Sequence, residues 1–170
     1  MNRKRILLAI AVLVAALGAA GVAIAGRDAA SEAAPATAAF HDLNAAKAAG
    51  YTVQVFDAAG ITCIASAEGA MGIHMLNPSL LDGTVEAAQP EALVYEPRNN
   101  GTLKLVALEY LVFEEAWAGD DPPALFGQEF DYVPAGNRYG LPAFYALHAW
   151  IWKPNPSGLL YAWNPNVDCG

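Results

Sequence analysis

The apolar positions change period twice along this chain, and the changes divide it into three parts. Ile6 to Ala25 is an apolar, charge-free run, rich in alanine and interrupted by Gly18 and Gly21, behind the basic start Asn2-Arg3-Lys4-Arg5. Gly26 to Ala39 is rich in alanine, holds no large apolar residue and keeps no steady period. From Phe40 to Gly170 short amphipathic runs alternate with Gly, Pro and Asn. Leu43, Ala46 and Lys47 fall at helical spacing and Gly50 suits the position after a helix end, predicting a short helix over Phe40 to Ala49. Thr52, Val53 and Val55 predict a strand over Tyr51 to Phe56. Ala59-Gly60 turns the chain into a second run, Ile61 to Ala65. Gly69 and Gly72 flank Met71 and loosen the approach to Ile73-His74-Met75-Leu76, after which Asn77-Pro78 starts a turn.

The clearest local signal is a hairpin. Ala92 to Glu96 and Leu103 to Phe113 are β-rich, with Asn99-Asn100-Gly101 between them, and Asn-Gly between alternating apolar runs marks a tight hairpin turn. Strict alternation puts Leu103, Leu105, Ala107, Glu109, Leu111 and Phe113 on one face and Lys104, Val106, Leu108, Tyr110 and Val112 on the other. Neither face is polar throughout, so this strand is expected to be central and covered on both sides. Glu114 to Ala118 suits a helical turn that Asp120-Asp121-Pro122-Pro123 breaks. Phe126 to Pro142, rich in Gly, Pro and aromatics, predicts a long ordered loop over a site. A last strand, Phe144 to Trp152, places Phe144, Ala146, His148, Trp150 and Trp152 on one face. The fold class expected is α+β: one compact domain over 40–170, mainly an antiparallel sheet, with a short N-terminal helix and long loops.

The order basic, apolar, small residues, ending Ala23-Ile24-Ala25, reads as a cleaved signal peptide over 1–25, with an uncleaved membrane anchor as the alternative. Residues 26–39 then read as an Ala-rich spacer. Export places the chain outside the cytosol: secreted, periplasmic or at the cell surface. Cys63 and Cys169 are the only cysteines, and in an oxidising compartment they are expected to pair. The formal charge of −8 falls by three more once Arg3, Lys4 and Arg5 are removed. Nucleic acid is a poor partner for such a surface, as is an anionic membrane beyond the export segment itself.

The candidate chemistry lies with His74, Glu109 and His148. Each sits in an apolar or aromatic run, and an unpaired carboxylate within Val106 to Phe113 would be costly. Two imidazoles and one carboxylate suffice to bind a divalent transition metal (zinc, copper or manganese) with positions left for water or a small ligand. The alternative is a structural His148–Glu109 pair. His41, following the spacer, is expected to be exposed. Glu96 lies roughly 13 Å from Glu109 along the hairpin and is expected to cap the strand end instead. Trp150, Trp152 and Trp163 offer an aromatic wall for a ligand, or core packing. Ser66, Ser79 and Ser157 lie in no Gly-x-Ser-x-Gly context, and no His-Glu-x-x-His is present, so no catalytic residue is named.

Met71-Gly72-Ile73-His74, the segment Pro90-Glu91-Ala92-Leu93-Val94-Tyr95-Glu96-Pro97 and the block from Leu147 to Cys169 resemble a family of secreted bacterial proteins of unknown function. That family carries MGxH, PExLxYEP and LHxWxWxxNPxG…WNPxxxC motifs. The resemblance covers about Phe40 to Cys169. Met75-Leu76 follows His74 where the pattern would put an aromatic first, which changes the wall of any pocket. The resemblance implies export and draws notice to His74, Glu109 and His148 without giving them roles. The leading expectation is an exported binding protein with a His/Glu metal or small-ligand site. The alternatives are a metal-free structural or interaction module and a metal-dependent enzyme.

Overall fold

In the computed structural model, which describes residues 30–170, the alternating runs pair into an antiparallel sheet. Its strands are β1 (Val53–Gln54), β2 (Cys63–Ser66), β3 (Gly69–Leu76), β4 (Ala92–Pro97), β5 (Leu103–Phe113), β8 (Asp131–Val133) and β9 (Phe144–Ala149). The order is β1-β3-β4-β5-β9-β8, and β2 joins β3 on the edge that β1 also occupies. A separate small ribbon pairs β6 (Ala124–Leu125) with β7 (Gln128–Glu129). The helical part is short: residues 30–37 (α1), a 3-10 turn at Ala38–His41, and α2 (Leu43–Ala48). The α+β class is therefore as expected, in one compact domain. The signal-peptide and anchor readings, over 1–25, lie outside the described residues. Among the described residues no helix is long and apolar enough to cross a membrane.

Local chemistry explains the ends of α2. The Asp42 side chain accepts from the Asn44 N–H at the start. At the end, Tyr51 N–H reaches Ala46 O and Gly50 N–H reaches Lys47 O with Gly50 at φ +103°, the paired closure that a left-handed glycine permits. The expectation for Gly50 holds. The spacer expectation does not extend to α1, where Ala33 and Thr37 are fully buried. Thr37 donates to Ala33 O and accepts from Trp152 Nε1. Small residues one turn apart carry no apolar period, yet they let a helix lie close to its neighbour.

The two faces of the sheet bury different things. One packs Met75, Leu93, Tyr95, Leu105, Leu108 and Tyr110 under the helices and the 81–91 segment. Three buried tyrosines pin that cover: Tyr51 donates to Pro90 O, Tyr95 to Phe40 O and Tyr110 to Ala87 O. The other face carries Val94, Ala107, Trp150 and Val167. Strict alternation along β5 fails here. The register passes from Val94↔Ala107 to Tyr95↔Leu105, leaving Val106 as a bulge. One extra residue reverses every later face, so Leu105 joins Leu108 in the main core while Ala107, Glu109 and Leu111 face the opposite side.

Gly69 and Gly72, expected to loosen the chain, lie inside β3. A Cβ on Gly69, at φ +132°, would sit 2.5 Å from the Asn164 backbone, where Ala70 and Asn164 exchange both backbone hydrogen bonds. Glycine here allows two backbones to touch. Gly69→Ala is expected to cost about 2 kcal/mol more than Gly101→Ala. Gly101 also has positive φ but open space around it, so equal losses in urea melts of the two variants would contradict this reading.

Cys63 and Cys169 form the expected disulfide, with Cα atoms 5.6 Å apart. The bond ties the C-terminal segment to β2. Asp168 N–H adds a hydrogen bond to Glu96, whose carboxylate also pairs with Lys153. Glu96 thus anchors the strand end rather than joining Glu109.

Candidate metal centre

His74, Glu109 and His148 come from three strands, β3, β5 and β9, and the sheet brings them together on the face away from the main core. Glu109 is the direct cross-strand partner of His148 and, on its other side, of Ala92. His74 stands on β3, two strand spacings from β5, or about 10 Å. It reaches Glu109 diagonally across β4, where the small side chain of Ala92 leaves room. Each of the three residues offers a ligand atom within 4.8 Å of the others, and among the described residues they are the group found to meet this condition.

Glu109 Oε2 is the centre of the group. His148 Nδ1 hydrogen-bonds it directly, and His74 Nε2 lies 3.8 Å away. Burial pushes the Glu109 carboxyl up, but the pull of His148 and its hydrogen bond, with the His74 imidazole close by, outweighs it and holds the group near 2. Burial lowers the His148 pKa against the pull of Glu109. The direction that satisfies both is an ionised Glu109 with a neutral His148 donating through Nδ1. The bare nitrogen is then His148 Nε2, which is buried without a hydrogen-bond partner, as is His74 Nδ1.

The distances bear on metal binding. Two donors about 2.1 Å from one ion stand roughly 3–4 Å apart. The His74–Glu109 separation lies in that range and is too long for a hydrogen bond. The His148–Glu109 contact is tighter and runs through Nδ1, so an ion between them would take the place of the Nδ1 proton, leave the ring proton on Nε2 and need the carboxylate and imidazole to draw apart.

Two cavities meet at this cluster. One, of about 230 Å³, is walled largely by Leu76, Leu81, Leu111, Phe113, Leu141 and Phe144, with His74, Glu109 and Tyr139 as its polar lining groups. The other, of about 320 Å³, lies on the His148 side and includes Asp131, Asn137, Arg138 and Trp163. Glu109, Tyr139 and Phe144 border both.

The stretch Phe126 to Pro142 is only partly loop, since β7 and β8 occupy its first half. The remainder does lie over the cluster. Asn137 holds it in shape, accepting from Tyr139 N–H and Leu141 N–H and donating to Pro134 O and Leu141 O. Arg138 pairs with Asp57 at 2.9 Å, and Asp57 also accepts from Ala59 and Ile61 in the turn after β1. This leaves the Tyr139 hydroxyl near Glu109. Burial and the Glu109 charge push its pKa up to about 12. Tyr139 was not legible from the sequence, where it is one aromatic among several in a loop.

The three tryptophans do not make one wall. β9 ends at Ala149, three residues before the predicted end, and Trp150 and Trp152 turn to different clusters. Trp150 packs beside His148 with ring centroids 4.7 Å apart and donates to Tyr161 O. Trp152 packs edge-on against the exposed His41 and donates to Thr37. Of the three, Trp163 lines the cavity on the His148 side.

A second buried carboxyl went unread as a special group. Glu91 is 2 % exposed and accepts from Leu111 N–H at 2.9 Å. Burial pushes its pKa up to about 8, against the pull of that N–H. Below about 4.5 it is protonated in both folded and unfolded chains. As pH rises toward 8 only the unfolded chain loses the proton, so stability falls over that window. Glu91→Gln removes the titration and keeps an acceptor for Leu111. The variant is expected to match the parent near pH 4.5 and to exceed it by about 3 kcal/mol at pH 8. Parallel stability curves from thermal melts across that range would count against it.

Comparison of the chain with family models, with curated proteins and with solved structures finds no match, so the functional reading rests on the geometry of this site.

Proposed function

We propose that this chain is an exported binding protein that holds one divalent transition metal through His74, Glu109 and His148. The observation that carries the reading is the convergence of three ligand atoms within 4.8 Å, from residues far apart in sequence, at a point bordering two cavities. A mixed imidazole and carboxylate set suits zinc, copper or manganese. An ion would neutralise the buried Glu109 charge and turn its remaining coordination positions toward the cavities. The disulfide supports export, as does the resemblance of the motifs around His74, Glu91 and His148 to a secreted family. The acidic balance argues against nucleic acid as a partner.

A second reading is a metal-free polar cluster that only stabilises the sheet. The direct His148–Glu109 hydrogen bond favours it. Metal content by mass spectrometry separates the two. Protein incubated in turn with zinc, copper and manganese and freed of excess is expected to retain one ion per chain. Retention of none of the three would leave the structural reading standing.

A further inference from the structure

Resting on the metal reading of the cluster, we infer that the apolar cavity beside it takes a small monocarboxylate: an apolar body against Leu76, Leu111 and Phe113, with its carboxylate at the ion and the Tyr139 hydroxyl. The cavity is built with one polar end. His74, Glu109 and Tyr139 gather at that end, while the walls are aliphatic and aromatic side chains that offer a hydroxylated ligand no partners. At about 230 Å³ the space falls below the roughly 300 Å³ at which sites for drug-sized compounds begin. It therefore suits a compact ligand of roughly ten non-hydrogen atoms.

Charge selects the head group. A divalent ion held by one carboxylate and two neutral imidazoles keeps a net positive charge among apolar walls. An anion completing its coordination removes that charge, whereas an amine would add to it. Tyr139 supplies the hydrogen bond. Its hydroxyl contacts Met71 Sδ, on the His148 side, at 3.9 Å, and a thioether is a weak acceptor, so the O–H can turn at little cost to an anion held where the two cavities meet. The loop bearing it is held in place by Asn137 and by the Arg138–Asp57 pair.

The test uses calorimetry on the disulfide-bonded protein loaded with zinc. Benzoate and hexanoate are expected to bind at least tenfold more tightly than acetate, which lacks the apolar body, and more tightly than hexylamine. Removal of zinc is expected to weaken benzoate binding at least tenfold, and Tyr139→Phe about fivefold. Leu81→Trp, which narrows the cavity at a wall residue outside the ligand set, is expected to weaken benzoate at least tenfold while zinc affinity holds. The unchanged zinc affinity also shows that this variant is folded, and Leu81→Phe gives the same comparison with a smaller change. Benzoate binding no tighter than acetate, tighter binding of hexylamine, or indifference to both Leu81 variants would overturn the inference and leave the metal reading intact. A chain that takes up no zinc would overturn both.

Discussion

The Cys63→Ser/Cys169→Ser variant is expected to lose about 4 kcal/mol of stability, the largest effect of any change considered. The disulfide joins residues 106 apart in sequence. The chain-entropy model gives about 4.7 kcal/mol for closing a loop of that order, and strain or residual structure in the unfolded chain usually lowers the yield. The native contacts at the bond point the same way. The segment it secures carries the Asn164 bridge to Ala70, the burial of Val167 and the Asp168 hydrogen bond to Glu96. Without the bond these contacts must offset the freed entropy of the C-terminal segment alone. Urea melts of the parent and the double variant at equal pH supply the measurement. A difference under about 1 kcal/mol would mean that the Asn164 region holds this end of the chain unaided.

His74→Ala is expected to lower zinc affinity at least about a hundredfold while costing the fold little. The residue lies 3.8 Å from Glu109 and makes no hydrogen bond to it, so the His148–Glu109 contact survives its removal. His148→Ala should lose zinc as completely but should also cost about 3 kcal/mol, because Glu109 is left in the sheet without its hydrogen-bond donor. The pair of variants therefore divides the two readings of the cluster. Loss of zinc in both, with loss of stability concentrated in His148→Ala, is the metal result. A chain in which His74→Ala binds zinc as the parent does would remove His74 from the ligand set. Zinc titration against a competing chelator, with thermal melts of the metal-free proteins, gives both quantities.

The sheet hairpin shows how much the residues state locally. Asn99-Asn100-Gly101 and the flanking β-rich runs determine that β4 and β5 pair. The closure of α2 at Gly50 and the pairing of the two cysteines were equally legible, because each depends on a few residues or on a count that admits one answer. The bulge at Val106 was not. Alternation is a local rule, and nothing between Leu105 and Ala107 announces the extra residue. Its place is decided by what packs on each face.

The site divides along the same line. The chemical types of its members, and the cost of burying Glu109 alone, were present in the sequence and singled out His74, Glu109 and His148. Their meeting was not, since it depends on the register of three strands, the bulge that turns Glu109 away from the main core, and the small Ala92 on the strand between. Tyr139 and Glu91 escaped for a related reason. A side chain's environment is set by segments remote in sequence: the Arg138–Asp57 pair holds the Tyr139 loop, and the Tyr51 and Tyr110 anchors close the cover beside Glu91. Sequence by itself determined which residues carry donors, which runs form strands and which thiols are available to bond. Only the tertiary structure decided which donors face one another, because direction, burial and distance belong to the packed sheet.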